Sequence, residues 1–317
     1  AGVGSGVVHY MSKDPFKHEG STLQLQGGAI ANSGSLLSGG NFNMKSVYFR
    51  HAVSNDDKTF GYKFNLRYSE NGTWDLSDSQ KLSIFGASGS RTINDPLTGQ
   101  SVGSSNQLRD IESKGVDASL YYRPNNNFSF TAVAGVGSTI GNASTSGTGE
   151  VFGDQNNHFV QFRVKSNDLF VQYNFTKNIP GNEGDEIGFN YRTGLVSYIE
   201  STQSQLQVQQ ELSLDKLNTV ASLGFEHKLS TFNSFTRTHG RNENNDDYRT
   251  YGAYLSTKTN LSDNVILSLA GRYDRFAMLD ESAFSPRIGL VIKADPKNII
   301  RLSYNKSHTP PSAVDMF

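Results

Sequence analysis

Between residues 248 and 306 apolar and polar side chains alternate almost without a slip, and few folds are open to a chain that does this. Tyr251, Ala253 and Leu255 alternate with Gly252, Tyr254 and Ser256, and Val265, Leu267, Leu269 and Tyr273 with Ser268, Ala270, Arg272 and Asp274. Phe284, Pro286, Ile288, Leu290 and Ile292 then oppose Ser285, Arg287, Gly289 and Lys293, and Ile300, Leu302 and Tyr304 oppose Arg301, Ser303 and Asn305. A period of two puts each set on one side of a sheet, so every strand has one oily and one wet face. Short polar turns at 260–264, 277–282 and 294–298 join the four runs into an antiparallel meander.

The same pattern recurs upstream. Phe60, Tyr62, Phe64, Leu66 and Tyr68 share a face opposite Gly61, Lys63, Asn65, Arg67 and Ser69. Further strands are predicted near 23–25 and 47–49, then over 116–122, 128–136, 160–164, 169–175, 206–214 and 217–229, about thirteen in all. Their connections sort by strand parity. Short turns fall at 55–58, 124–127, 166–168, 215–216, 261–264 and 295–298. Loops on the opposite edge, several of them long, fall between these, at 71–110, 138–156, 177–202 and 230–247. Short turns on one rim and long loops on the other describe an outer-membrane barrel. Tyr48, Tyr62, Tyr68, Tyr121, Tyr122, Tyr173, Tyr251, Tyr273 and Tyr304 are placed for its aromatic girdles.

Composition agrees. Only 35% of the 317 residues are apolar and 31 are glycine, which disfavours a thick globular core. A net charge of -1 gives no concentrated basic surface for nucleic acid. Cysteine is absent, which removes disulfide scaffolds, thiolate metal sites and cysteine nucleophiles. No run approaches the roughly 20 apolar residues of a membrane helix, whereas a barrel strand needs only about 9 to 11 alternating residues.

Chemistry has little support. The glycines of residues 2–6 are followed by no Lys-Ser/Thr pair and no helical pattern, so a turn is read there rather than a phosphate cradle. His9, His18, His51, His158, His227, His239 and His308 are scattered without ligand spacing, so neither a metal nor another cofactor is expected. The polar loop at 241–247 reads as solvated rather than as a cation site, and no Ser-His-Asp order stands out. No catalytic residue is assigned. The inward polar residues Lys63, Asn65, Arg67, Asp117, Arg163, Arg272, Asp274, Arg287, Lys293 and Arg301 are expected to line a passage or contact something within it, and a hydrated wall reads equally well.

GVGSGVVHYMSKDP at residues 2–15 resembles the last strand of the plug domain of TonB-dependent outer-membrane receptors, those of Bacteroidetes-like bacteria in particular. YGAYLSTKTNLSDNVILSLAGRYDRF at 251–276, and FSPRIGLV with RLSYNKSHTPPS after it, are similar to two barrel hairpins of that family. The resemblance implies an all-β chain: residues 1–19 ending a plug, and residues 20–317 forming about thirteen strands of an antiparallel transmembrane barrel that has 22 in plugged transporters. It implies residence in the outer membrane of a Gram-negative bacterium, in contact with its lipid. It further implies energised uptake of a scarce nutrient, an iron chelate, a cobalamin-like molecule or an oligomer, driven through a TonB-type energy-coupling protein. A surface lipoprotein is a further expected partner. Most of a plug and a TonB box are not found in these residues, and Pro310 and Pro311 argue against a closing strand at Phe317, so the chain reads as a piece running to mid-barrel. Loop residues Trp74, Arg91, Tyr191, Arg192, Tyr198 and Arg241 are the expected ligand contacts, and loops 71–110 and 177–202 the first places to look.

Two other readings compete. A barrel could serve as a docking or adhesion partner for surface proteins without transport. A soluble β-sandwich or carbohydrate-active enzyme would bury Leu267, Leu269, Ile288, Leu290 and Leu302 against a second sheet.

Overall fold

The computed structural model describes residues 12–28, 44–72, 79, 91–104, 110–145, 149–180, 188–190, 193–234, 247–295 and 297–308. The long strands are β1 (Gly20–Gly28), β2 (Met44–Ser54), β3 (Phe60–Asn71), β6 (Ile111–Asn125), β7 (Phe128–Thr145), β8 (Gly149–Ser166), β9 (Leu169–Pro180), β12 (Glu200–Leu214), β13 (Thr219–Asn233), β14 (Tyr248–Ser262), β15 (Val265–Phe276), β16 (Glu281–Lys293) and β17 (Ile299–Asn305). Four short strands lie in loops: β4 (Thr92–Asn94), β5 (Ser101–Ser104), β10 (Gly188–Asn190) and β11 (Val196–Ser197). The thirteen long strands pair antiparallel in chain order into one sheet that ends at β1 and β17. This is an antiparallel β-barrel wall, not closed on itself among the described residues, with the strand number that the alternation predicts.

The register decides what each face meets. Leu66 pairs with Phe49 and Val116, while Asn65 pairs with Arg50 and Asp117, so one face is apolar from strand to strand and the other polar. The apolar face is the exposed one: Leu66 is 40% exposed, Leu255 52% and Leu302 59%, whereas Lys63 on the polar face is 2% exposed. Among the described residues no second sheet covers Leu269, Ile288 or Leu302, which removes the β-sandwich reading. Water on the polar side and hydrocarbon on the apolar side satisfy this arrangement, and antiparallel pairing satisfies the backbone within the sheet. Among the described residues no helix is long and apolar enough to cross a membrane.

The short turns close tightly because single residues accept a left-handed conformation: Lys58, Asn167 and Asn218 have φ of 55°, 49° and 47°. Asn55 completes the first turn by accepting the Thr59 and Phe60 amides at 2.9 and 2.8 Å.

The structure corrects the sequence expectations in two respects. The loop expected over 138–156 is largely strand, because β7 and β8 stay paired from Phe128↔Ser166 to Thr145↔Gly149. Only about 9 to 11 residues are needed to cross, so this hairpin stands roughly 20 Å beyond the bilayer. Likewise 177–180 and 200–202 remain in β9 and β12, and 230–233 in β13. Tyr48 and Tyr121, expected in a girdle, lie on the inner face, with the Tyr48 hydroxyl on Asn65 at 3.1 Å and Tyr121 beneath Lys63. Tyr62, Tyr68, Tyr122, Tyr173, Tyr251, Tyr273 and Tyr304 stay on the outer face, Tyr62 opposite Leu120, Tyr122 opposite Phe60, Tyr173 opposite Phe162, Tyr273 opposite Phe284 and Tyr304 opposite Ile288, while Tyr68 and Tyr251 pair with Lys114 and Arg275.

Candidate functional site

The chain leading into β1 is strapped to the inner wall at the short-turn rim. Asp14 folds it: its carboxylate accepts the Phe16 amide at 3.0 Å and its carbonyl the His18 amide at 3.0 Å. Pro15 is fully buried, and the Phe16 ring packs edge-on to Tyr121 with the Arg123 guanidinium 4.7 Å over its face. Gly61 makes room, since a Cβ there would lie 3.1 Å from the Phe16 ring and 3.2 Å from the Val53 carbonyl. Four cations then hold the strap. Lys63 donates to the Ser12 hydroxyl at 2.8 Å, the Tyr121 hydroxyl at 3.2 Å and the Lys13 carbonyl at 3.4 Å. Arg123 pairs with Asp14 at 2.9 Å, Arg50 donates to the His18 carbonyl at 2.6 Å, and Lys58 with Ser54 binds Glu19.

Burial pushes the Asp14 carboxyl up, but the Arg123 and Phe16 hydrogen bonds and the Arg123 and Lys17 charges outweigh it and hold the group below the usual carboxylate range. A depressed pKa contributes stability that is present above the unfolded value and is lost as pH falls through the folded one. A spin label at Lys13→Cys, unique because the chain has no cysteine, should therefore stay immobile at neutral pH and loosen only below about pH 4. Arg123→Gln should loosen it at neutral pH. A label equally mobile in both proteins at pH 7 would refute this latch.

Above the strap the polar face is a ladder of cross-strand pairs. Asn65 donates to Asp117 at 2.6 Å, Gln161 to Asn174 at 2.6 Å and Arg163 to Gln172 at 2.8 Å. Arg272 binds Asp274 at 2.7 Å and Glu226 at 2.9 Å, and Gln205 also donates to Glu226. Arg67 lies across Gly115, where a Cβ would come 3.0 Å from its Nε. The Tyr254 ring lies over Gly224 and donates to Gln209 at 2.7 Å, bridging β12 to β14.

At the long-loop rim the expected loops 71–110 and 177–202 share one core. β4 and β5 form a hairpin, while β10 pairs with both β11 and β8. Ile93, Val102, Phe189 and Val196 are all buried, and a Cβ on Gly194 would sit 3.1 Å from Ile93. Similar turns close both hairpins: Asp95 accepts the Thr98 hydroxyl at 3.1 Å and Asn190 the Thr193 hydroxyl at 3.1 Å, before Gly99 and Gly194 at φ 70° and 72°. Removing the Phe189 ring leaves a cavity worth about 3 to 5 kcal/mol in a well-packed core. Phe189→Ala should accordingly admit protease into 91–104 as well as 188–197, and cleavage confined to the second segment would disprove the shared core.

The expected ligand contacts divide. Trp74, Tyr191, Arg192 and Arg241 lie outside the described residues. Arg91 lies against Gly194, its Nη2 3.2 Å from where a Cβ would sit, and Tyr198 is only 7% exposed, so both belong to the loop module. The register puts Lys63, Arg67, Asp117, Arg163, Arg272, Asp274, Arg287 and Arg301 all on the inner face. Sequence reasoning missed Arg50, Arg123, Phe16 and Gly224. Strand parity could have found the two arginines; nothing local marks the other two. Among the described residues no group of three or more histidines and acids could hold a metal.

Residues 14–317 match the family model described as TonB dependent receptor-like, beta-barrel. No curated protein matches the chain. Among solved structures, a ferric enterobactin receptor of Pseudomonas aeruginosa is similar with a TM-score of 0.57 at 13% identity, over 92% of this chain and 44% of that one. A siderophore receptor of Acinetobacter baumannii is similar with a TM-score of 0.55 at 13% identity, over 88% of this chain and 42% of that one. The chain thus spans less than half the length of the solved structures it matches, and at this identity the likeness is one of fold.

Proposed function

The chain belongs to the TonB-dependent receptor-like β-barrel family, and from that premise we propose that it forms part of the wall of a ligand-gated receptor for energised nutrient uptake. The family is one of outer-membrane receptors of Gram-negative bacteria rather than of enzymes, so the short-turn rim faces the periplasm and the loop module the outside. The observation that carries the reading is the reversal of faces: a continuous apolar belt outside, and inside it a ladder of hydrogen-bonding side chains suited to a hydrated passage.

In this reading residues 1–19 end a plug and residues 20–317 are barrel. Trp74, Arg91, Tyr191, Arg192, Tyr198 and Arg241 are its proposed ligand contacts, of which Arg91 and Tyr198 belong to the loop module. A TonB-type protein supplies the energy that rearranges the plug, while the strap of residues 12–19 keeps the plug's end on the wall. The ligand classes are an iron chelate, a cobalamin-like molecule or an oligomer. The solved relatives bear on the first through their names, as ferric enterobactin and siderophore receptors.

The test is deletion of the complete gene in its host, followed by uptake of a labelled panel of ferric chelates, cobalamin and oligosaccharides. Loss of uptake of one class, reproduced by a protonophore that leaves surface binding intact, is the expected result. Uptake unchanged across the panel, or indifferent to the protonophore, would leave a passive or docking barrel instead.

A further inference from the structure

We propose that the inner faces of β9 and β12 form an uncharged amide track for a neutral, polyhydroxylated oligomer, an oligosaccharide rather than a charged chelate. The proposal rests on the reading of this face as the wall of a passage and names the solute that the passage takes. β12 puts Gln203, Gln205, Gln207 and Gln209 on the inner face at a period of two, and β9 sets Thr176, Asn174, Gln172 and Phe170 opposite them in register. Towards the long-loop rim the Asn178 amide donates to the Ser201 hydroxyl at 3.2 Å. From Phe170 to Pro180 and from Ser201 to Gln209 neither strand carries a charged side chain on this face. The inner positions of β7 from Ser129 to Thr139 are uncharged as well, and Gly135 and Gly137 lower the wall there. Charges stand on either side, with Arg163 and Lys165 at the short-turn end of β8 and Glu226 and Lys228 on β13.

The amides are held in place along the wall. Gln161 donates to Asn174 at 2.6 Å, Gln203 to Ser230 at 3.3 Å and Gln205 to Glu226, while Gln209 accepts the Tyr254 hydroxyl at 2.7 Å. A primary amide has two N–H donors and an acceptor oxygen, so one such bond fixes the group and leaves capacity for a solute. A sugar hydroxyl donates and accepts at once, and an amide meets it in both roles. Each such bond contributes only about 0.5 to 1.5 kcal/mol net, so contacts can be exchanged rung by rung along β12, where rungs two residues apart lie about 6.8 Å from one another. Rings border the track. Phe159 lies over Gly135, where a Cβ would come 2.6 Å from its Cζ, and Phe170 lies beneath the Arg163 guanidinium at 6.0 Å. Aromatic faces suit the C–H side of a sugar. An ion on the solute would lose water here without meeting a counter-charge. The strap lies on β2, β3 and β6, a different sector of the wall, and Gln203 is exposed.

The chain has no cysteine, so Gln203→Cys and Gln207→Cys each place one thiol on the track. Each is made in the full-length protein, with any cysteine elsewhere in it changed to serine, and is reacted in detergent with a hydrophilic methanethiosulfonate beside maltopentaose or citrate. Maltopentaose should slow the labelling about threefold or more, as an occupancy of about two-thirds requires, and citrate should leave it unchanged. Lys258→Cys, on the same face but on β14, should react at one rate with and without the sugar. The two track positions keep the test open if one variant does not fold. Labelling unmoved by maltopentaose, or slowed as much by citrate or at Lys258→Cys, would overturn the proposal. So would track thiols that react only after denaturation, because the protein's own plug would then cover them. No energy source enters this measurement, so the two readings fail separately. Sugar protection in a protein whose uptake ignores a protonophore would keep the track and discard energised uptake, and energised uptake of a ferric chelate with unprotected thiols would do the reverse.

Discussion

Lys63→Met should destabilise the folded barrel by about 3 kcal/mol and free the strap of residues 12–19 from the wall. Methionine keeps most of the stem volume, so the loss isolates the ammonium. Lys63 is 2% exposed, and its ammonium donates to the Ser12 and Tyr121 hydroxyls and the Lys13 carbonyl. A bond from a charged donor contributes about 1.5 to 3 kcal/mol, and a stranded buried acceptor costs about 1 to 3. Two terms reduce the sum. The desolvated ammonium is itself costly, so its removal returns part of the loss, and both hydroxyls can turn to other acceptors. The Lys13 carbonyl cannot, which keeps the net effect destabilising. The measurement is the temperature at which the protein loses its folded mobility in detergent gels, together with the spin label at Lys13→Cys. An unchanged temperature and an immobile label would mean that Arg123 and Arg50 hold the strap unaided.

A second large effect is expected at a residue with no side chain. Gly224→Ala places a Cβ 2.3 Å from Tyr254 Cζ and 2.5 Å from its hydroxyl, a separation that real atoms do not sustain. The ring must leave, and with it goes the 2.7 Å bond to Gln209 that joins β12 to β14 across β13. Overpacking costs about 1 to 3 kcal/mol and the lost bond about 1, for a total of about 3 kcal/mol. In a Tyr254→Ala background the clash is absent, and Gly224→Ala should be neutral or slightly stabilising because glycine is the poorer strand residue. The double-mutant cycle should therefore show coupling of about 2 kcal/mol or more, and additivity within about 0.5 kcal/mol would rule the ring-over-glycine contact out.

How far such features could be read in advance depended on what each face of a strand touches. Within the bilayer one face meets lipid and the other water, so composition must alternate, and Leu267, Leu269, Ile288 and Leu302 announced both the strand and its side. Beyond the bilayer both faces meet water. The outer parts of β7 and β8 therefore carry no alternation, and 138–156 reads as loop although its backbone is fully paired. Tyr48 and Tyr121 were misread because tyrosine suits a membrane interface and a polar wall alike; their parity, between Val47 and Phe49 and between Leu120 and Tyr122, was the better guide.

The candidate site was less legible than the fold. That Lys63, Arg163, Arg272 and Arg301 share the inner face follows from spacing, but what each of them meets does not. Asp14 and Arg123 are 109 residues apart, Lys63 and Ser12 51, and nothing local pairs them. The common core of the two loops is equally hidden, because Ile93 sits in a short strand and Gly194 in a turn, and neither has a periodicity to mark it.

The sequence by itself determined that the chain is a barrel wall, how many strands cross, where they turn on the short-turn rim and which side of each faces lipid. Those properties are set by solvent contrast and by a period of two, and both act residue by residue along the chain. Only the tertiary structure decided that the entering segment is latched to β2, β3 and β6, that Tyr254 fills the space above Gly224 and that two loops form one module. These depend on which strands lie side by side and on where side chains of different lengths end, and neither is written in the composition of any one segment.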